Sequence, residues 1–484
     1  MLFNSLDFAI FLPVVFLLYW FVAQKNLKLQ NSLIVISSYV FYGWWDWRFL
    51  SLIIFSTVVD YFVGQKLRTE DKKSNRRILL WTSIIINLGF LGFFKYYNFF
   101  LENFVNAFSF FGMHINNNSL NIILPVGISF YTFQTLSYTV DVYNKKLEPT
   151  KNFIAFTAFV CFFPQLVAGP IERATNLLPQ FYRKRTFEYH KAVDGMRQIL
   201  WGLFKKAVIA DNCAEFANQI FNNSAEMNGS TLILGVFFFS IQIYGDFSGY
   251  SDIAIGTSRL FGFDLKQNFA APYFSKNIVE FWRRWHISLS KWLTDYVFTP
   301  LALKLRHFEK KGIIVSVFIT FFFSGLWHGA GWNFIVYGLI HAIYFLITLL
   351  ILGHKKSFNT NSDNKIIPSF KDSFNMILTF VLVSFSYIFF RSENIGHAIS
   401  YISEILSPSL FSIPKFIGMK NALITIIIVG FFVLIEWRGR DRQYAIERFG
   451  LKWKRPLRYA MYYVIIIAIF WFGGKEQQFI YFQF

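Results

Sequence analysis

Charge is scarce in this chain. Only 15% of its 484 residues are Asp, Glu, Lys or Arg, against about 25% in an ordinary soluble domain. Cysteine is nearly absent. Cys161 and Cys213 sit in apolar surroundings without a CxxC or CxxxC partner, so two buried thiols are expected, uninformative about redox compartment. No repeat of fixed period is found, which weakens an inverted-repeat transporter. The GxSxG elbow, HExxH, the P-loop and the dinucleotide glycine fingerprint are also missing. No cluster with metal-ligand spacing is visible, and no metal is expected. The opening MLFNSLDFAIFLPVVFLLYWFVAQK lacks a basic n-region and a small-residue cleavage site, so a retained first span is expected.

What is present is apolar. Hydrophobic residues make up 55% of the chain and aromatics 21%, with 64 phenylalanines; the mean hydropathy is +0.40. So few charges could not cover that much apolar surface in water, and the same numbers exclude disorder, collagen and coiled coil. The expectation is an all-α, polytopic integral membrane protein. Apolar runs lie near 7–24, 31–45, 49–64, 78–100, 121–140, 153–170, 195–215, 230–262, 312–327, 331–353, 374–390, 420–437 and 457–474. Several fall short of the roughly 20 residues of a full span, so about 10–13 spanning or re-entrant helices are expected. One integral domain, 1–484, accommodates them: N-terminal helices over 1–120, a core over 121–353 and C-terminal helices over 354–484. The polar fragments INNNS (115–119) and NTNSDNK (359–365) read as loops.

The formal charge of +19 does not indicate nucleic acid, because the basic residues occupy short loops between apolar runs. That is the pattern of a cytoplasmic face against anionic headgroups. Loop 65–77 carries six Lys/Arg and loop 438–458 carries eight, whereas 101–120 has none; the first two are expected inside and the third outside. The alternation breaks at 171–191, where Arg173, Arg183, Lys184, Arg185 and Lys191 follow a single apolar run. Either 153–170 does not cross fully or 171–191 is a cytoplasmic interfacial helix, and the second is the expectation.

Ionisable side chains at membrane depth are functional candidates by default. Five histidines, His114, His190, His307, His354 and His397, fall in loops or at helix ends and read as solvated. His286, His328 and His341 do not. Trp282, Trp285, Leu289, Trp292 and Leu293 recur at helical spacing, with Arg283, Arg284 and Lys291 opposite, which predicts one amphipathic interfacial helix carrying His286. His328 lies between Gly325, Gly329 and Gly331, which allow a bend and close backbone approach. Were 328–341 one helix, His328 and His341 would stand about 20 Å apart; a pair of His328 with His286 is therefore expected, with His341 structural. Asp246 and Asp252 either line a tunnel or cap a broken helix. Gln134 and Asp141 read as helix-packing polars, and Glu172–Arg173 as a turn with a locally paired charge.

Several ordered motifs carry a resemblance. SGLWHGAGWNFIVYGLIHA (324–342), EFWRRWHISLSKWLTDYVFTPL (280–301), IYGDFSGYSDIAIG (243–256), LPVGISFYTFQTLSYTVDVY (124–143), FFPQLVAGPIER (162–173) and FIYFQF (479–484) resemble the membrane-bound O-acyltransferase (MBOAT) family. The branch is that of alginate O-acetyltransferases and D-alanyl-transfer proteins, and the similarity spans essentially the whole chain. One departure is ALKLRHFEKK (302–311), where many members have a glycine-and-basic stretch that bears on donor-side or partner-side contacts.

The resemblance implies helices around a catalytic tunnel, with His328 and His286 catalytic and Trp327, Asn333, His341, Asp246, Arg283 and Arg284 supporting. It implies no bound cofactor, with acetyl-CoA as acyl-donor substrate. The acceptor side would be an exported polysaccharide, alginate-like or another cell-surface glycan, reached through an exported or periplasmic acetyltransferase. Membrane lipids are the remaining partners, and the location would be the bacterial cytoplasmic (inner) membrane. D-alanyl transfer to teichoic acid is the alternative within the family. A non-catalytic transporter or channel, or a scaffold for polysaccharide export, are the alternatives outside it.

Overall fold

The computed structural model describes residues 1–110, 119–357, 367–473 and 477–480, the side chains of 354–357 excepted. His114, most of INNNS, all of NTNSDNK, the His354 side chain and the last four residues of FIYFQF lie outside the described residues. Everything regular that is described is helical, with no strand. Among the described residues, eight stretches are long and apolar enough to cross a membrane: Leu27–Thr69, Lys73–Phe110, Gly229–Leu260, Arg306–His328, Trp332–Gly353, Phe370–Arg391, Met419–Arg438 and Arg455–Phe472. Only helices satisfy their own backbone groups in lipid, which is why apolar runs of this length take that form. Their outward faces are those of a multi-pass membrane protein. Ile467 and Phe470, for example, are 61% and 83% exposed on a helix that buries no residue.

The first two stretches are jointed. Leu27–Asp46 and Leu50–Thr69 meet at a short 3-10 turn whose Asp46 side chain caps Arg48 N–H at 3.0 Å. Three expected runs are shorter than a span. Residues 121–140 hold the 16-residue helix Ile128–Tyr143, and 195–215 is divided among Tyr189–Phe204, a π-helical Lys205–Ala210 and Asp211–Asn222. The run 153–170 consists of the 9-residue Phe153–Cys161 and the 4-residue Phe163–Leu166. Nine residues rise only about 13 Å against a hydrocarbon core of about 30 Å. Incomplete crossing therefore accounts for the broken charge alternation. Segment 171–191 is not one interfacial helix; it forms short turns over Ala174–Leu177 and Leu178–Tyr182 before the next helix starts at Tyr189.

The chain forms two compact units. The first comprises 1–192 with 257–266, the second 193–256 with 267–484. In the first, buried Asp60 accepts from Asn87 Nδ2 (2.9 Å), Thr139 Oγ1 (2.9 Å) and Ser83 Oγ, so one carboxylate ties Leu50–Thr69, Lys73–Leu91 and Ile128–Tyr143 together. Arg185 is buried there as well. It donates to Asn31 Oδ1 (2.6 Å) and to Tyr19 Oη, and lies 4.7 Å over the Phe263 ring. Glu172 accepts from the Lys266 backbone N–H and Asn176 Nδ2, both at 2.6 Å, and burial raises its carboxyl pKa against the opposing pull of the Lys266 and Arg173 charges.

The second unit holds the histidine-bearing segments. Its helices Glu309–His328 and Trp332–Ser357 pack with backbones almost touching. A Cβ on Gly325 would overlap Phe334 O, and one on Gly338 would overlap Phe321 O. Small residues permit this approach, and dispersion between close backbones holds such helices together where lipid supplies no hydrophobic drive. Both cysteines are buried free thiols.

Candidate active site

His328 is the last residue of Glu309–His328, and the chain turns through Gly329, at φ −163° and ψ 156°, before Trp332 starts the next helix. Residues 328–341 are therefore not one helix. Asn333 fixes the turn by donating to Ser392 O at 2.8 Å and Phe389 O at 3.3 Å. Those carbonyls lie at the end of Phe370–Arg391, where helical acceptors have no partner of their own. Asn333 is thus a clasp between helices.

His286 is placed by a different break. The single amphipathic helix expected here is two seven-residue helices, Ile278–Arg284 and Ile287–Leu293. Between them His286 adopts φ 42° and ψ 54°. A non-glycine residue in the left-handed region is strained and persists only where surrounding contacts require it. They come from a segment eighteen residues upstream: Asn268 O accepts Ile287 N–H at 2.9 Å, and Ala270 N–H donates to Arg284 O at 2.9 Å. The tryptophans Trp282, Trp285 and Trp292 are buried within the protein.

These two breaks bring His286 and His328 to the same indole. The Trp327 ring lies 5.5 Å from His286 and 5.0 Å from His328, centroid to centroid. Around them are Phe247 (4.7 Å) and Phe269 (6.3 Å) against His286, and Phe390 (5.3 Å) and Tyr337 (5.8 Å) against His328. Exposure is 0% for His286 and 2% for His328. Burial pushes the His286 imidazole down to about 3, so its ring is neutral at ordinary pH. His341 also packs on Tyr337, at 4.7 Å, but its nitrogens are committed. Nδ1 accepts from Trp282 Nε1 at 3.2 Å, and Nε2 meets Ser386 Oγ at 2.9 Å. It bridges three helices.

Other expected residues have different partners or face outward. Asp246 is buried in an ion pair with Lys206. Arg284 pairs with Glu280 at 2.8 Å and donates to Ala270 O at 3.2 Å, while Arg283 is exposed. Four buried polar residues were not singled out by the sequence: Asn268, Lys205, Lys206 and Glu436. Lys205 pairs with Asp252 at 2.5 Å and donates to Ser248 at 3.0 Å; Glu436 accepts from Tyr244 and Trp201 at 2.7 and 2.9 Å. The signal was there for three of them, as charges inside the apolar runs 195–215 and 420–437. Asn268 gave none. Lys205, Asp252, Glu436, Asn268 and Arg442 line a polar cleft, so Asn268 joins that cleft to His286. Among the described residues no group of His, Cys, Asp and Glu could hold a metal ion.

Two buried imidazoles in an aromatic enclosure suit proton transfer during displacement at a carbonyl. Residues 143–390 match the profile described as "MBOAT, membrane-bound O-acyltransferase family". The chain belongs to that family. This O-acyltransferase is 38% identical to "Probable alginate O-acetylase AlgI" of Pseudomonas syringae pv. tomato, over 82% of this chain and 73% of that protein. It is 33% identical to the protein of the same name from Pseudomonas putida, with both chains covered in full. It is 34% identical to "Peptidoglycan O-acetyltransferase" of Helicobacter pylori, over 84% and 80%. The match encloses both histidines and Trp327.

Proposed function

We propose that this membrane acyltransferase takes an acetyl group from cytoplasmic acetyl-CoA and passes it across a bacterial inner membrane for O-acetylation of an exported polysaccharide. The observation that carries this reading is that His286 and His328, both buried, each pack against the Trp327 ring. The relatives named above act, by their names, on alginate and peptidoglycan, and support acetyl as cargo and a glycan as final acceptor.

His328 is the general base. Its imidazole takes the proton of an acceptor hydroxyl while that oxygen attacks the thioester carbonyl; the C–O bond forms, the C–S bond breaks, and the leaving thiolate takes the proton back. An enclosure of Phe247, Phe269, Tyr337 and Phe390 keeps out water that would hydrolyse the thioester. The donor approaches from the side of the basic loop 438–458, where Arg442 borders the polar cleft and favours anionic phosphates. No cofactor is held in this scheme; acetyl-CoA is consumed as substrate. The acyl group leaves by way of an exported or periplasmic acetyltransferase.

The test is reconstitution in liposomes with labelled acetyl-CoA outside and glycan plus candidate partner inside. Label on the glycan that depends on His328 and on the partner supports the proposal. Full-rate acetylation of free polysaccharide by this protein alone would refute the relay, and no consumption of acetyl-CoA would refute the donor.

A further inference from the structure

Asn268 holds the turn at His286 from both its backbone and its side chain. Besides the Asn268 O to Ile287 N–H bond, Asn268 Oδ1 accepts from Ser288 N at 3.2 Å and Ser288 Oγ at 2.9 Å. Asn268 Nδ2 donates to Ser251 Oγ at 3.3 Å. These partners decide which end of the amide is oxygen, because a backbone N–H can only donate. The same Oδ1 lies 3.2 Å from His286 Nδ1. An amide oxygen carries no proton, so this is a hydrogen bond only when the proton sits on Nδ1. A neutral imidazole has one proton, and the hydrogen bond at one nitrogen fixes the state of the other. Nε2 then carries the lone pair. Asn268 is wholly buried, so water does not compete for either contact.

We propose that Asn268 is a positioning residue that locks His286 in the Nδ1–H tautomer, and that His286 therefore serves acyl transfer as a hydrogen-bond acceptor at Nε2. This rests on the acetyl-CoA reading above. A thioester carbonyl needs a donor, which Nε2 of this tautomer is not. An amide N–H of the donor's pantetheine arm is a donor. His286 thus orients the donor chain, and the carbonyl is left to other groups.

The experiment is nitrogen NMR of the full chain, labelled with 15N-histidine and held in lipid nanodiscs, with His286 signals assigned by their loss in His286→Asn. The wild type should show a protonated Nδ1 and an unprotonated Nε2. Asn268→Ala should move His286 towards the Nε2–H form. Asn268→Asp, whose carboxylate accepts the same hydrogen bonds, should keep Nδ1–H. A wild-type spectrum with Nε2–H, or an Asn268→Ala spectrum unchanged from wild type, overturns the proposal. Should Asn268→Ala fail to insert, the wild-type spectrum still decides. In transfer assays Asn268→Ala should raise the KM for acetyl-CoA roughly tenfold, the size of one hydrogen bond, with rescue by Asn268→Asp; an unchanged KM overturns the donor-orienting role. The spectra need neither donor nor acceptor, so loss of the acetyl-CoA reading would not be confused with loss of the tautomer.

Discussion

Lys206 and Asp246 form a buried ion pair at 2.9 Å that also fastens the segment 477–480. Lys206 Nζ donates to Gln477 O at 3.0 Å, and Asp246 Oδ2 accepts from Ile480 N–H at 2.7 Å. Asp211, at 2.8 Å, completes the surroundings of the ammonium. Between the two anchors Phe479 packs on Tyr250 at 4.6 Å and on Phe247 at 6.0 Å, and Phe247 in turn packs on His286. The charge pair is thereby linked to His286 through packed rings.

Removing Lys206 leaves the Asp246 and Asp211 carboxylates buried without their cation, typically at a cost of about 3–5 kcal/mol, whereas removing Asp246 leaves Lys206 paired with Asp211 alone and Ile480 N–H without its acceptor. Lys206→Met and Asp246→Leu should therefore lower the melting temperature of detergent-purified protein clearly. Asp246→Asn keeps an oxygen for Ile480 N–H and should cost less than Asp246→Leu. Equal melting of all three variants and the wild type would contradict the role given to this pair.

Loss of a general base costs about 10²–10⁴ in rate. His328→Ala should lower acyl transfer by at least that range while inserting and purifying normally, and His286→Ala should lower it less. The measurement is acetylated product per mole of folded, membrane-inserted protein. Near-normal transfer by His328→Ala would move the base to His286.

His341→Ala should act through stability. It leaves Trp282 Nε1 without its acceptor inside the protein, a desolvation cost of about 1–3 kcal/mol. The expected result is a lower melting temperature with near-normal transfer per folded molecule. A stable variant without activity would place His341 in the chemistry.

Gly338→Ala tests the close approach of the two helices that flank the turn at Gly329. Overpacking of this kind costs typically about 1–3 kcal/mol, and a displaced helix Glu309–His328 carries His328 with it. Both melting temperature and transfer should fall. Wild-type values for both would show that the helices have room to separate.

Orientation follows from loop charge. Single cysteines at positions 73 and 117 should react with an impermeant reagent on opposite sides of the membrane, position 117 from outside and position 73 only after permeabilisation. Position 117 lies outside the described residues, so this prediction rests on sequence alone. Cys161 and Cys213 are buried and should add little background. The reverse pattern would invert the topology and with it the side from which the donor arrives.

Local chemistry sufficed for much of this protein. Bulk composition placed it in a bilayer, since 15% charged residues leave no other solvent for so much apolar surface. Apolar run lengths located the spans that form uninterrupted helices, among them Gly229–Leu260 and Phe370–Arg391. Glycines beside His328 marked the bend that follows it, because a break in a membrane helix is visible in a short window of sequence.

Tertiary structure decided the rest. Trp282, Trp285, Leu289 and Trp292 follow a helical period, and that period is blind to the break at His286. The break is imposed by hydrogen bonds from Asn268, eighteen residues away, which hold Ile287 and Ser288 out of a continuous helix. The meeting of His286 and His328 at Trp327 has the same character, joining residues about forty apart through packing. Periodicity and composition record what each residue prefers beside its neighbours in sequence. Which nitrogen of His286 carries the proton, and which ring both imidazoles pack against, depend on groups that become neighbours only when the chain has folded.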